Sequence, residues 1–161
     1  MPIIRFVERY PLPPASVFAF FRRPANVIAV APAWLGLRLV DGPEEPSAGQ
    51  RFAVQVRSWG LSKRIETEVV TLEEPSLLVE RQVDGPFRRW VLERRLVPTD
   101  GGTELTETIT YDPPGGMLGL FLTPAAVEAE LTRAYEGRAE RVIRVIGAAG
   151  TSGRSPDASP R

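Results

Sequence analysis

The sequence predicts an α+β domain in which one large antiparallel sheet is backed by one long C-terminal helix. Three observations carry this. Over residues 124–146 the apolar positions Val127, Leu131, Ala134, Tyr135, Ala139, Val142, Val145 and Ile146 recur in steps of three and four, which marks one face of an α-helix. Over residues 51–111 apolar and polar residues alternate with period two, broken at short intervals by turn residues. The helix-forming stretches stand before and after this run instead of alternating with it, so helices and strands segregate.

The elements follow in order. Residues 3–10 alternate as a strand, with Ile4, Phe6, Glu8 and Tyr10 on one face. Pro11, Pro13 and Pro14 end it, and Pro14 suits the first turn of a short helix carrying Val17, Phe18, Phe20 and Phe21. Pro24 ends that helix, and Asn26 is expected to cap a second one that runs to Ala31 before Pro32. Residues 34–40 read as a strand, and residues 41–50 as an exposed turn. The next strand, 51–59, sets Phe52, Val54 and Val56 on one face, and Trp59 with Gly60 forms the expected hairpin tip. Residues 62–73 place Ile65, Thr67 and Val69 together. Residues 77–84 and 88–97 follow, the latter with Trp90, Leu92, Arg94 and Leu96 on one face. Asp100, Gly101 and Gly102 are a hairpin turn into residues 103–111, where Leu105, Glu107, Ile109 and Tyr111 share a face. Short links of this kind join antiparallel neighbours, so the run reads as a meander.

Residues 112–123 are apolar and glycine-rich, and read as a lid or as the lead-in to the helix. Thr123 then serves as N-cap, with Pro124 at the first helical position and Gly147 as the stop. The helix carries Arg133, Arg138, Arg141 and Arg144 among its polar positions. Residues 1–147 are therefore expected to form one domain. The tail, 148–161, is small, polar and proline-containing, and is expected to be disordered.

Composition narrows the chemistry. The chain has 161 residues, enough for one sizeable core. Twenty basic side chains balance 20 acidic ones, which argues against general nucleic-acid binding. No apolar run is long enough for a membrane span, and no secretory leader is visible, so a cytoplasmic location is expected. There is no Cys and no His. Disulfides, thiolate nucleophiles, a Ser-His-Asp triad and the commonest transition-metal ligands are thereby excluded. Catalysis would rest on Glu, Asp, Lys, Arg or Tyr. No metal and no cofactor are expected.

The order of elements resembles the helix-grip fold of the START-like superfamily, also called SRPBCC, which includes birch-pollen-type allergens, lipid-transfer domains and polyketide cyclases/dehydrases. Glu80-Arg81-Gln82, Gly85-Pro86-Phe87 and Trp90 look like a bacterial, uncharacterised branch of it. The run Gly101-Gly102-Thr103, Leu105-Thr106-Glu107, Ile109 and Tyr111 continues the likeness, as do Pro113, Pro114 and Gly116-Met117-Leu118-Gly119. The resemblance covers roughly residues 2–147. It also has a gap: that branch often carries histidines two and four positions after the tryptophan, where this chain has Leu92 and Arg94.

The resemblance implies a curved sheet that grips the long helix around an apolar pocket, with Gln82 facing inward. Strand alternation then brings Phe52, Val54, Ile65, Thr67, Leu78, Glu80, Trp90, Leu92, Arg94, Glu107 and Ile109 to the same side. The helix would add Val127, Leu131 and Tyr135, and the segment before it Leu118 and Phe121. Glu80, Arg94 and Glu107 are the catalytic candidates, with a Glu as acid or base and Arg94 polarising a carbonyl. The plainer reading, favoured here, makes Arg94 and Glu107 a cross-strand ion pair that holds register. Three functions follow: a binder of a lipid, polyketide or isoprenoid-like molecule, expected first; a cyclase or dehydratase; or a protein-interaction module with no ligand.

Overall fold

The computed structural model describes residues 1–57 and 62–152. The expected tip at Trp59 and Gly60 and the end of the tail lie outside the described residues. Seven strands form one antiparallel sheet: β1 (Ile3–Tyr10), β2 (Arg38–Asp41), β3 (Arg51–Val56), β4 (Lys63–Glu73), β5 (Leu77–Asp84), β6 (Arg89–Thr99) and β7 (Gly102–Asp112). Their spatial order is β1-β7-β6-β5-β4-β3-β2. Strands β2 to β7 are thus the expected meander, and β1 joins the far edge beside β7. Register shifts between Glu66 and Thr67 and between Val69 and Thr71 interrupt β4, and such bulges bend a strand.

The alternation in the sequence survives as alternation of burial. Along β7 every second residue from Thr103 to Tyr111 is buried. Arg94 lies directly opposite Glu107, and Trp90 opposite Tyr111. Helix α1 (Pro14–Phe21) buries Val17, Phe18, Phe20 and Phe21. Helix α2 (Pro24–Val30) follows at once, with proline in its first turn. Its N-cap position is Arg23, not Asn26 as expected. The Asn26 side chain instead donates to the Phe20 carbonyl at 3.1 Å and ties the two helices together. A single 3-10 turn at Ala33–Leu35 replaces the start of the expected strand at 34–40, and β2 begins at Arg38. The lead-in at 112–123 contains a short helix, α3 (Gly116–Phe121).

The C-terminal helical arm is in two parts, α4 (Pro124–Tyr135) and α5 (Arg138–Ser152). Thr123 caps α4 as expected, accepting from the Ala126 amide at 3.3 Å. The break expected nowhere in 124–146 falls at Glu136 and Gly137, where Gly137 adopts φ +67°. That left-handed conformation suits glycine and ends an α-helix. The expected stop at Gly147 is also displaced: α5 continues through Ser152, so the helix runs into the segment expected to be disordered.

Two apolar clusters line the inner face. The larger joins Tyr10, Phe18, Phe20, Phe21, Phe52, Val69, Leu78, Leu96, Leu105 and Val142, so α1 and α5 both sit on it. The smaller joins Ile4, Phe87, Ile109, Tyr111, Leu122 and Val127, beneath α4.

Candidate functional site

The inner face of the sheet carries charge as well as apolar surface. Arg94 on β6 reaches across to β7 and back to β5. Its Nε donates to Glu107 Oε1 and its Nη1 to Glu80 Oε2, each at 2.7 Å. Arg138, at the start of α5, donates through Nη1 to Glu107 Oε2 at 3.1 Å and through Nε to Glu8 Oε1 at 3.0 Å. The Tyr135 hydroxyl also donates to Glu107 Oε2, and the Tyr10 hydroxyl to Glu8 Oε1 at 3.1 Å. Phe21 lies under both guanidiniums, at 5.5 Å from Arg94 and 5.1 Å from Arg138. Tyr135 stacks on Phe6 with ring centroids 3.8 Å apart.

This arrangement explains how charge is kept in the interior. Glu107 is 1% exposed and Arg94 3%. A lone ion at such a depth costs several kcal/mol. Burial alone would push the Glu107 carboxyl up. The Arg138 and Arg94 guanidiniums, with hydrogen bonds from Tyr135 and Arg138, overcome that and hold it down at about 2. Burial opposes the charge on Arg94, but Glu80 and Glu107 raise its pKa above the ordinary arginine value. The Tyr135 hydroxyl is raised well above its ordinary value by burial and by Glu107, so it stays a donor. Glu107 is therefore a fixed anion with both oxygens engaged, a poor acid or base near neutral pH. The plainer reading of Arg94 and Glu107 as a cross-strand pair fits this geometry, enlarged by Arg138, Glu8 and Tyr135.

Beside the cluster the face opens into a cavity of two adjoining lobes. The first, about 240 Å³, is lined by Pro24, Val27, Ile28, Leu37, Phe52, Val54, Thr67, Glu80, Gln82, Trp90, Leu92 and Arg94. The second, about 230 Å³, is lined by Leu35, Leu37, Val56, Lys63, Ile65, Thr67, Gln82, Pro86, Phe87, Trp90 and Leu131. Leu37, Thr67, Gln82 and Trp90 belong to both walls. Together the lobes fall in the lower part of the ~300–1,000 Å³ range of small-molecule sites, and their mostly apolar walls with a few polar groups fit that class. Gln82 donates its amide to the Phe87 carbonyl at 2.6 Å, which fixes the β5–β6 turn and leaves its side-chain oxygen as an acceptor.

The expected lining set divides. Phe52, Val54, Ile65, Thr67, Gln82, Trp90, Leu92, Arg94 and Leu131 line the lobes, as does the catalytic candidate Glu80. Seven others line neither lobe. Leu78 is packed in the larger cluster, and Ile109 and Val127 in the smaller. Leu118 packs against the smaller cluster from α3, while Phe121 on the same helix is exposed. Glu107 and Tyr135 are taken up by the charge cluster. The cavity also lies elsewhere than expected. Its cover is α2 and the 3-10 turn, with α4 contributing Leu131 alone among the described lining residues, instead of the long C-terminal helix. Sequence reasoning missed Pro24, Val27, Ile28, Leu35 and Leu37 in that cover. The adjacent apolar pair Val27 and Ile28, on a helix too short to hold itself, was the available clue. Arg138 was missed because its charge grouped it with the polar residues, although its spacing of three after Tyr135 and four before Val142 places it in the apolar stripe; it is 6% exposed.

Among the described residues, no group of His, Cys, Asp or Glu side chains is placed to hold a metal ion. Among them, too, no helix is long and apolar enough to cross a membrane. A family model described as polyketide cyclase/dehydrase and lipid transport matches residues 4–147. No curated protein matches the chain. Among solved structures, a protein of Thermus thermophilus is 19% identical with a TM-score of 0.68, the match covering 89% of this chain and 99% of that one. A Rhodobacter sphaeroides protein is 23% identical with a TM-score of 0.63, covering 91% and 93%. Ara h 8.0201 is 14% identical with a TM-score of 0.63, covering 91% and 98%. These likenesses are of fold, and the fold is the helix-grip architecture of the SRPBCC superfamily.

Proposed function

The chain belongs to the polyketide cyclase/dehydrase and lipid transport family, and from that premise we propose that it binds a hydrophobic small molecule non-covalently in the two-lobed cavity. The observation that carries this reading is the shared wall of Leu37, Thr67, Gln82 and Trp90, which makes the lobes one site for one elongated or bent ligand. A lipid, polyketide or isoprenoid-like compound matches such walls. Burying its apolar surface supplies the affinity, at roughly 25 cal/mol per Å². Thr67, Gln82 and Glu80 supply orientation. The cavity supports this over the solid-core, protein-interaction alternative.

One observation favours a second reading, a cyclase or dehydratase. Glu80 lines the first lobe and shares only one oxygen with Arg94, so it is the one candidate among Glu80, Arg94 and Glu107 placed to exchange a proton with a ligand. A Glu80→Gln protein that binds substrate but does not turn it over is the outcome expected of that reading.

The first test is native mass spectrometry of the purified protein, followed by solvent extraction of whatever is bound. A defined apolar compound at near-stoichiometric level is the expected result, and Leu37→Trp, which fills the wall common to both lobes, should abolish its retention. A clean unliganded mass, with no thermal stabilisation by lipids or aromatic polyketides, would sink the reading.

A further inference from the structure

The buried cluster is one positive charge short. Three carboxylates, Glu8, Glu80 and Glu107, meet two guanidiniums, Arg94 and Arg138. The shortfall is not shared equally. Glu107 receives both guanidiniums and the Tyr135 hydroxyl. Glu8 receives Arg138 and the Tyr10 hydroxyl. Glu80 receives one hydrogen bond, from Arg94 Nη1 to Oε2, and Arg94 is already committed to Glu107 through Nε. Among the described residues, Oε1 of Glu80 has no donor, although its side chain is only 12% exposed. Glu80 is also the member of the carboxylate trio that lines the cavity. The uncompensated negative charge of the cluster thus faces the first lobe.

Resting on the cavity-binder reading above, we propose that the ligand carries a hydrogen-bond donor that seats on Glu80, and that an amine suits this position better than an alcohol. A carboxylate held in a mostly apolar wall gains most from a charged donor, since hydrogen bonds between ionised partners are about twice as strong as neutral ones. Trp90, in the wall of both lobes, is an aromatic side chain of the kind that attracts a cation. A ligand carboxylate or phosphate at this end meets the excess negative charge instead. Arg94 does not rescue it, because its charge is shared between two carboxylates. The ligand class is therefore an apolar molecule with an amino or hydroxyl group at one end. An acid would have to place its charge away from Glu80, toward Lys63 in the second lobe.

A matched series tests this by calorimetric titration of the full chain with phenethylamine, phenethyl alcohol, ethylbenzene and phenylacetate. The amine should bind roughly tenfold or more tightly than ethylbenzene, the alcohol in between, and phenylacetate most weakly. An amine advantage over the alcohol supports the proposal; an alcohol that binds as tightly as the amine overturns it. Glu80→Gln should collapse the amine-to-ethylbenzene ratio toward one, and Glu80→Asp should restore part of it. Ethylbenzene binding as tightly as the two donors, phenylacetate binding best, or a folded Glu80→Gln protein that keeps the ratio each overturns the proposal while leaving the cavity reading intact. Binding by none of the four, together with a clean native mass, overturns both. Should Glu80→Gln fail to fold, the series on the unaltered protein decides alone.

Discussion

The two halves of the inner sheet face obey the same alternation and end in opposite states. Under α1 and α5, Tyr10, Val69, Leu78, Leu96 and Leu105 from five strands pack into one cluster, with Leu105 and Val142 fully buried. Across β3 to β6, under α2 and the 3-10 turn, strands of the same alternation, β4 among them with its register shifts, face open space. The cover differs between the two. A long helix delivers a continuous stripe of side chains, whereas two short helices and a turn deliver Val27, Ile28, Leu35 and Leu37 with gaps between them. Glu107 and Glu80 show the same division in one residue type. One is saturated in the packed half, and the other is left partly unpaired at the edge of the open half.

The largest effect should come from swapping the roles of these two carboxylates. Glu107→Gln removes the common acceptor of Arg94, Arg138 and Tyr135 and turns an amide donor toward donors. Urea denaturation should show a loss of ~3–5 kcal/mol, the range for breaking a buried ion pair. Glu80→Gln removes one bond from a cluster with excess negative charge, and should cost about 1 kcal/mol or less. The Glu107 contribution also has a pH signature. Its carboxyl sits at about 2 in the folded chain, below the ~4.3 of an unfolded glutamate. The stability it confers is complete above the unfolded value and is lost as pH falls toward 2. The acid limb of the stability curve should therefore be steeper in the parent than in Glu107→Gln. Equal costs for the two variants would erase the distinction between the halves.

A second pair probes packing in place of charge. Leu96 stands directly opposite Leu105, as Leu92 does Ile109. Leu105 is enclosed, so Leu105→Ala should leave a new cavity and cost ~3–5 kcal/mol. Leu92 already borders the first lobe. Leu92→Ala therefore enlarges an existing space and should cost about 2 kcal/mol less, while altering ligand affinity. Thermal and urea unfolding of both variants measure the gap directly. A Leu92→Ala cost matching that of Leu105→Ala would mean that the open half is sustained by its walls as firmly as the packed half.

Much of this contrast was legible in the sequence. Period-two alternation sorted the residues of each strand into two faces, and the family resemblance, through Gln82, chose which face of the strands turns inward. Together they put Glu80, Arg94 and Glu107 in reach of one another. What they did not carry was the cover. Whether Val127 or Val27 stands over Trp90 depends on how far each helix extends across the sheet, which is a tertiary quantity. The placement of β1 beside β7 was equally invisible, since no local pattern names a strand's distant neighbour. Arg138 was hidden for a different reason. On a continuous helix it falls within the apolar stripe, three after Tyr135 and four before Val142, but its charge set it among the polar residues; buried there, it reaches Glu8 and Glu107.

The break at Gly137 makes the smallest and most discriminating prediction. Gly137 has φ +67°, and a Cβ added there would meet Arg141 Nη1 at 3.4 Å, an ordinary contact. Gly137→Ala is therefore strained by backbone conformation and not by space. It should cost about 1 kcal/mol if the left-handed turn is kept. The alternative is that alanine, a strong helix former, fuses α4 and α5 into the single helix that the spacing of 124–146 suggests. Fusion would change the phase between Tyr135 and Arg138 and pull Arg138 away from Glu107. The loss would then approach that of Glu107→Gln, and the acid limb would flatten with it. A cost near ~1 kcal/mol with the acid limb unchanged places the strength of the packed half in the charge cluster, which holds the turn in place. A large cost with a flattened limb makes the turn itself the element that assembles the cluster.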